Sequence, residues 1–323
     1  MRYKNDNLVS VVIPVFNQKS FIVECIASVV EQDYANIQII VIDDGSSDGS
    51  AELARKKFGN RIELIQQRNL GPSAAINAGL RIASGDYIAL LGGDDISMVD
   101  RISHQVEIMS SSRHDIIFSK PFIIDGAGNR LRDSSFPVFY QESGDTAYLL
   151  HKLFFGGNFF CAPSAMLRKK VVDQIGMFHC GLIQLQDYEY WLRALVSGFS
   201  LALYEYRVVY YRRHYGNLST ELRSSASTSE IPYILQRILN EGTPSILRQV
   251  FQHMLKPEAS MDTPLSEIEK NFLLMAHSLP EVRSAAVTHL LNNVESDASF
   301  KNAEKYGFNQ FRYLYNCWPT KLV

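Results

Sequence analysis

Three near-continuous apolar runs, each ending in a polar loop and followed by an amphipathic stretch, constrain this chain more than any other feature. They cover residues 8–15 (LVSVVIPV), 37–42 (IQIIVI) and 87–91 (YIALL). A strand buried on both faces reads as such a run, whereas a strand with one wet face alternates. Pro14 is expected to end ladder pairing in the first run. Helical periodicity fills the gaps. Phe21, Ile22, Cys25, Ile26, Val29 and Val30 fall on one helix face, with Asn17 and Ser20 as candidate caps. Asp48 or Ser50 opens a second helix ending at Phe58, residues 61–66 form a short strand, and a third helix spans 74–83. Ser97 is the expected cap of a fourth helix carrying Val99, Ile102, Val106 and Met109. Strand–helix alternation predicts a mostly parallel sheet covered on both faces.

Loops that follow neighbouring parallel strands leave from one edge, and open α/β sheets bind ligands there. Three such loops are polar: Pro14-Val15-Phe16-Asn17, Asp43-Asp44-Gly45-Ser46 and Gly92-Gly93-Asp94-Asp95. Together they predict a pocket of carboxylates and backbone groups with one aromatic, Phe16. The hard oxygens of Asp94 and Asp95 suit Mg²⁺ or Mn²⁺, and such an ion suits a diphosphate. Plainer readings stand beside these: an acidic pair in a turn before a helix, and a strand-ending turn at residues 43–46. No GxGxxG follows the first strand and no GxxxxGK[ST] occurs, so dinucleotide and P-loop readings lose their usual support.

The 323 residues suffice for one large domain and a smaller one. A net charge of −2 gives no nucleic-acid footprint. The four cysteines (Cys25, Cys161, Cys180, Cys317) have no CxxC or zinc spacing, which fits a reducing compartment. The polar start and the lack of an apolar run of about 18 residues predict neither signal peptide nor membrane span.

From residue 115 the pattern changes. Residues 116–132 read as two short strands with a hairpin at 125–129, and 145–155 as a helix broken by Gly156-Gly157-Asn158. Asp187 opens a helix whose positive end favours the ionised carboxylate, with Tyr190, Trp191, Leu195 and Val196 as core. Arg212 and Arg213 read as solvated charge. Residues 224–230 (SSASTSE) look like a linker, and four amphipathic helices follow without clustered catalytic residues. The expected domains are 1–220 and a helical region, 221–323.

The pieces VSVVIPVFNQ, IIVIDDGSSDGS, NLGPSAAINAGL, SGDYIALLGGDD, QDYEYWLRAL and YRRHYGN, in this order over roughly two-thirds of the chain, resemble the family 2 glycosyltransferases, inverting enzymes of the GT-A fold. The resemblance implies a Rossmann-like, mostly parallel sheet flanked by helices. It implies that Pro14, Val15, Phe16 and Asn17 line the nucleotide, that Asp44 with Asp43 bonds the base, and that Gly71 and Pro72 shape the wall. Asp94 corresponds to the direct metal ligand, with Asp95 beside it and His214 near the diphosphate and metal. Asp187 corresponds to the catalytic base. Gly92, Gly93, Gly157, Asn158 and Gln186 fall near the donor or acceptor sugar. Three positions depart from the family's pattern: Gly92 replaces the first Asp of DxD, Gln186 a Glu, and Ile76 a frequent Arg.

What the resemblance implies is a Mn²⁺- or Mg²⁺-dependent hexosyltransferase. Its donor is a nucleotide sugar, a UDP-sugar first, and its acceptor a saccharide or lipid-linked saccharide. The implied setting is surface polysaccharide or glycolipid assembly in the cytoplasm, at the inner face of a membrane through peripheral association. Two alternatives stay open, a nucleotidyltransferase and a degenerate nucleotide-sugar-binding protein whose lost carboxylate at Gly92 marks lost chemistry.

Overall fold

The computed structural model describes residues 7–139, 144–218, 225–255 and 260–293. Its first part alternates as the apolar runs predict: β1 (Val9–Val15), α1 (Ile22–Val30), β2 (Ile37–Asp43), α2 (Ser50–Phe58), β3 (Glu63–Gln66), α3 (Pro72–Ile82) and β4 (Tyr87–Leu90). Next come β5 (Ile96–Ser97), α4 (Arg101–Ser111), β6 (Ile116–Ser119), β7 (Phe122–Asp125), α5 (Thr146–Gly156), β8 (Met166–Arg168), α6 (Lys169–Ile175), α7 (Gln186–Val196), β9 (Leu201–Tyr204) and β10 (Val209–Arg213). The helices α8 (Ser225–Glu241), α9 (Pro244–Phe251), α10 (Glu267–Met275) and α11 (Pro280–Asn293) follow.

Among the described residues, one sheet has seven strands in the order β3-β2-β1-β4-β8-β6-β9. β8 runs antiparallel to β4 and β6, and the other neighbours are parallel. The register sets the ligand edge. Val15 lies opposite Asp43, Asp43 opposite Gln66, and Val12 opposite Leu90, so four loops emerge at one level. Successive residues of β1 and β2 face opposite sides, and both sides are core: Val12, Ile40 and Ile42 on one, Val11, Ile13 and Val41 on the other. This is why the runs do not alternate. Pro14 does not end the ladder, because β1 continues to Val15 with Pro14 opposite Ile42. A second sheet, β5-β10-β7, lies beyond the loop carrying Asp94 and Asp95.

Several local expectations change. Ser97 caps no helix. It pairs with Val209 in β5, the helix starts at Arg101, and Val99 is exposed. Pairing with β10 is available there and outcompetes the cap. Asn17 and Ser20 do not cap α1, whose N-cap residue is Phe21, without a side-chain cap hydrogen bond. Asp48 accepts the Ser50 N–H at 2.9 Å from just outside α2. β6 and β7 enter different sheets, and one bridge, Ile124 to Arg130, closes the turn at 125–129.

The apparent linker is also structured, since residues 225–230 are the first turns of α8. The expected domain boundary near residue 220 falls on 219–224, outside the described residues. On its far side, Ile234, Leu235, Leu247, Phe251, Leu273 and Val282 are buried in the same core as Leu149 and Phe154 of α5 and Leu195 of α7. Trp191 and Tyr190 are core, as expected, with Trp191 edge-on to Phe118 at 4.7 Å.

Candidate active site

The loops after β1, β2 and β4 meet the start of α7 around a cleft of about 610 Å³. Pro14, Val15, Phe16, Asp44, Gly71, Pro72, Gly92, Gly93, Asp94, Asp95, Asn158, Gln186 and Asp187 all line it. Four expected residues do not. Asn17 instead ties the first two loops together: its N–H donates to Ser46 Oγ and its Oδ1 accepts from Ser47 N, both at 2.9 Å. That use costs it a left-handed φ of 52°. Asp43 is buried behind the cleft, and its Oδ1 has no partner among the described residues. Gly157, at φ 81°, is the C-cap of α5. His214 stands behind Asp94, with which it pairs.

Asp44 braces the wall it was expected to share with Gly71. Its carboxylate accepts the Leu70 and Gly71 N–H groups at 2.9 and 2.8 Å and the Gln67 amide at 2.7 Å. The φ of 89° at Gly71 lets the backbone turn there before Pro72 starts α3.

The adjacent carboxylates have different surroundings. Asp94 Oδ2 meets His214 Nε2 at 2.8 Å and the Asn217 amide at 3.2 Å. Asp94 Oδ1 has no hydrogen bond among the described residues, which leaves one carboxylate oxygen for a ligand. Asp95 Oδ1 points the other way and accepts the Arg212 N–H at 2.8 Å. Burial pushes the Asp95 carboxyl well above its ordinary range. The neighbouring Asp94 charge adds to this, and Arg212 and Arg101 oppose it.

Arg212 is therefore not a solvated charge. It is 2% exposed, donates from Nε to the Asp94 carbonyl at 2.7 Å and pairs with Glu24 at 2.6 Å. A Cβ at Gly92 would lie 2.6 Å from Asp95 Oδ2 and 2.8 Å from Asp94 Oδ1, so any other residue there would require these carboxylate ends to shift.

Asp94 Oδ1 is thus the oxygen that fits a divalent cation, whereas both ring nitrogens of His214 are engaged, Nε2 with Asp94 Oδ2 at 2.8 Å and Nδ1 accepting the Gly216 N–H at 3.1 Å. Among the described residues, no three His, Cys, Asp or Glu side chains converge as a metal site.

Asp187 sits in the first turn of α7. It accepts from its neighbour's backbone, Tyr188 N, at 2.7 Å and from the Asn158 amide at 2.9 Å. The helix end alone would hold the carboxyl low. Burial outweighs it and pushes the carboxyl up to about 6, while both hydrogen bonds favour the charged form. Glu189, two residues on, is fully buried between Arg193 (2.7 Å) and Arg237 (3.2 Å), away from the cleft.

Sequence reasoning missed two glutamine side chains, Gln18 and Gln184, that join the expected Gln186. Gln18, Gln184 and Gln186 line the cleft, and each has a buried Oε1 without a partner among the described residues. Only Gln186 stood in a recognisable motif. The others are ordinary surface residues in sequence and acquire meaning from the loops that carry them.

The profile of glycosyl transferase family 2 matches residues 10–176. An uncharacterised glycosyltransferase of Methanocaldococcus jannaschii is 30% identical over 211 residues, 64% of this chain and 70% of that one. One from Rickettsia conorii is 34% identical over 193 residues, 58% of this chain. The chain spans about a third (31%) of the length of that Rickettsia relative.

Among solved structures, Staphylococcus aureus TarS 1-349 in complex with UDP-GlcNAc superposes with a TM-score of 0.63 at 16% identity, covering 93% of this chain and 92% of that one. The mannosyltransferase PcManGT from Pyrobaculum calidifontis, in complex with GDP-Man and Mn²⁺, gives 0.58 at 14% identity, covering 96% and 83%. At these identities the likeness shows the fold. The sheet order, the cleft and these neighbours define a GT-A glycosyltransferase fold. The chain belongs to glycosyl transferase family 2.

Proposed function

We propose that the protein moves a sugar from a nucleoside diphosphate donor, a UDP-sugar first, to the hydroxyl of a saccharide or lipid-linked saccharide, with inversion. The observation that carries this is the placement of Asp94 and Asp187 on one cleft: one carboxylate has an oxygen without a hydrogen bond among the described residues, the other is a raised-pKa base candidate. The acceptor oxygen attacks the anomeric carbon on the face opposite the diphosphate, and the carbon–oxygen bond to the diphosphate breaks with its electron pair. Asp187 takes the acceptor proton as that oxygen becomes acidic. The Asn158 amide holds Asp187 by one oxygen. Asp44 and Gly71 shape the nucleotide side, with Phe16 exposed at its mouth. Gln18, Gln184 and Gln186 add amide side chains to the cleft wall. A divalent cation on Asp94, with His214 bracing that carboxylate from behind, would offset charge on the leaving diphosphate. The TarS complex with UDP-GlcNAc and the PcManGT complex with GDP-Man and Mn²⁺ support a nucleotide-sugar donor.

Surface polysaccharide or glycolipid assembly, at a membrane's inner face, remains the proposed setting. Among the described residues no helix is long and apolar enough to cross a membrane. The nucleotidyltransferase reading lacks the Gly-rich phosphate loop such enzymes use. Retention of Asp94, Asp187 and His214 argues against the degenerate reading.

Two predictions test this reading. Asp94→Asn keeps the shape and removes the charge, so the affinity for UDP in Mn²⁺ should fall at least tenfold while UDP binding without metal stays level. Calorimetric titration of both proteins reads this, and an unchanged Mn²⁺-dependent affinity contradicts it. The second concerns pH. Asp187 acts deprotonated and its carboxyl is raised to about 6, so kcat/KM should fall as pH drops through about 6 and level off above it. A limb at the ordinary carboxylate range, near 4, would contradict the raised base.

A further inference from the structure

The loop that delivers Gln186 and Asp187 to the cleft is held from the other end of the sequence. Glu230 of α8 is nearly buried, and its carboxylate receives three successive backbone N–H groups: Ile183 at 2.6 Å, Gln184 at 3.2 Å and Leu185 at 2.8 Å. Hydrogen bonds to an ionised acceptor are roughly twice as strong as neutral ones, and three on one carboxylate leave the loop little freedom. Leu185 is the N-cap residue of α7, so the clamp ends one residue before Gln186. The cap has no side-chain hydrogen bond of its own, so Glu230 supplies from outside what the helix start lacks locally. The Gln184 amide also donates to the Leu218 carbonyl at 3.2 Å, which ties the loop to the segment after His214 and Asn217. A second link joins the same two helices, from Arg237 of α8 to the buried Glu189 of α7.

We infer that Glu230 is a positioning residue for the transfer: its carboxylate fixes residues 183–185 so that Asp187 meets the acceptor hydroxyl. The helical region beyond residue 224 is then part of the catalytic apparatus as well as of the core. The inference rests on Asp187 being the base. A misplacement of about 1 Å can cost on the order of 10²-fold in rate. Glu230→Ala should therefore lower kcat about 10- to 100-fold while the donor KM stays within about twofold, since the nucleotide side of the cleft does not touch α8.

The test is a double-mutant cycle with Asp187→Asn in the full chain, joined to amide exchange at residues 183–185. If Glu230 acts through Asp187, its penalty should largely vanish in the Asp187→Asn background. Exchange of the three amides should quicken in Glu230→Ala. Should that protein fail to fold, Glu230→Gln, which keeps one acceptor oxygen without the charge, takes its place with the same readouts. Penalties that multiply, or a kcat left unchanged, overturn the positioning role, and unaltered exchange overturns the clamp. Normal turnover in Asp187→Asn alone instead overturns the base assignment, and the exchange data still read the clamp by themselves.

Discussion

Asp187→Asn should lower kcat by about 10²- to 10⁴-fold and leave nucleotide-sugar affinity nearly unchanged. The substitution keeps the size of the side chain and its place at the start of α7, and it removes the charge and the proton acceptor. The loss corresponds to roughly 2.7–5.5 kcal/mol of transition-state stabilisation. It should appear in kcat, because a general base is needed only as the acceptor oxygen attacks. The structure also removes the obvious substitute. Glu189 is 0% exposed and engaged by Arg193 and Arg237, so no neighbouring carboxylate can rescue the variant. Steady-state kinetics with a donor titration separates the outcomes. Near-normal turnover eliminates Asp187 as the base, and lost donor affinity assigns it to binding.

A chain ending at residue 224 should not fold to a stable monomer. Ile234, Leu235, Leu247, Phe251, Leu273 and Val282 are each 2% exposed or less, in one core with Leu149, Leu153 and Phe154 of α5 and Leu195 of α7. Full burial of one such side chain is worth about 1.5–3 kcal/mol, and a domain's whole stability is about 5–15 kcal/mol. Losing six at once, and baring the faces they covered, should produce aggregation. Light scattering and thermal melting of the truncated chain read this. A soluble monomer with an unchanged melting temperature would show that α8–α11 are dispensable to the core.

The sheet was legible because continuous apolar runs have few alternatives, and each becomes a strand buried on both faces. The ligand edge was legible for the same reason: parallel neighbours must release their loops at one level. Ser97 and the stretch 224–230 were misread because local propensity was the only signal available there. Pairing of Ser97 with Val209, and packing of α8 on α7, depend on residues more than thirty positions away. Arg212 was misread because an arginine beside another arginine looks solvated. Its burial follows from Asp94, Asp95 and Glu24 arriving from two other elements. The opposite roles of Asp94 and Asp95 could not be read from an Asp-Asp pair, since they depend on which oxygen meets His214 and which meets the Arg212 backbone. Asp187 was placed correctly at a helix start. Its raised pKa comes from burial, which no local sequence feature carries.

The central claim is transfer from the anomeric carbon with inversion at this cleft. The most direct measurement is proton NMR of α-linked UDP- and GDP-sugars incubated with the full chain and Mn²⁺, followed faster than mutarotation, with a simple sugar acceptor present. The account predicts release of the nucleoside diphosphate and a sugar product that first appears with the β configuration. Release of nucleoside monophosphate or pyrophosphate, a product that first appears as α, or no turnover of any donor would contradict it.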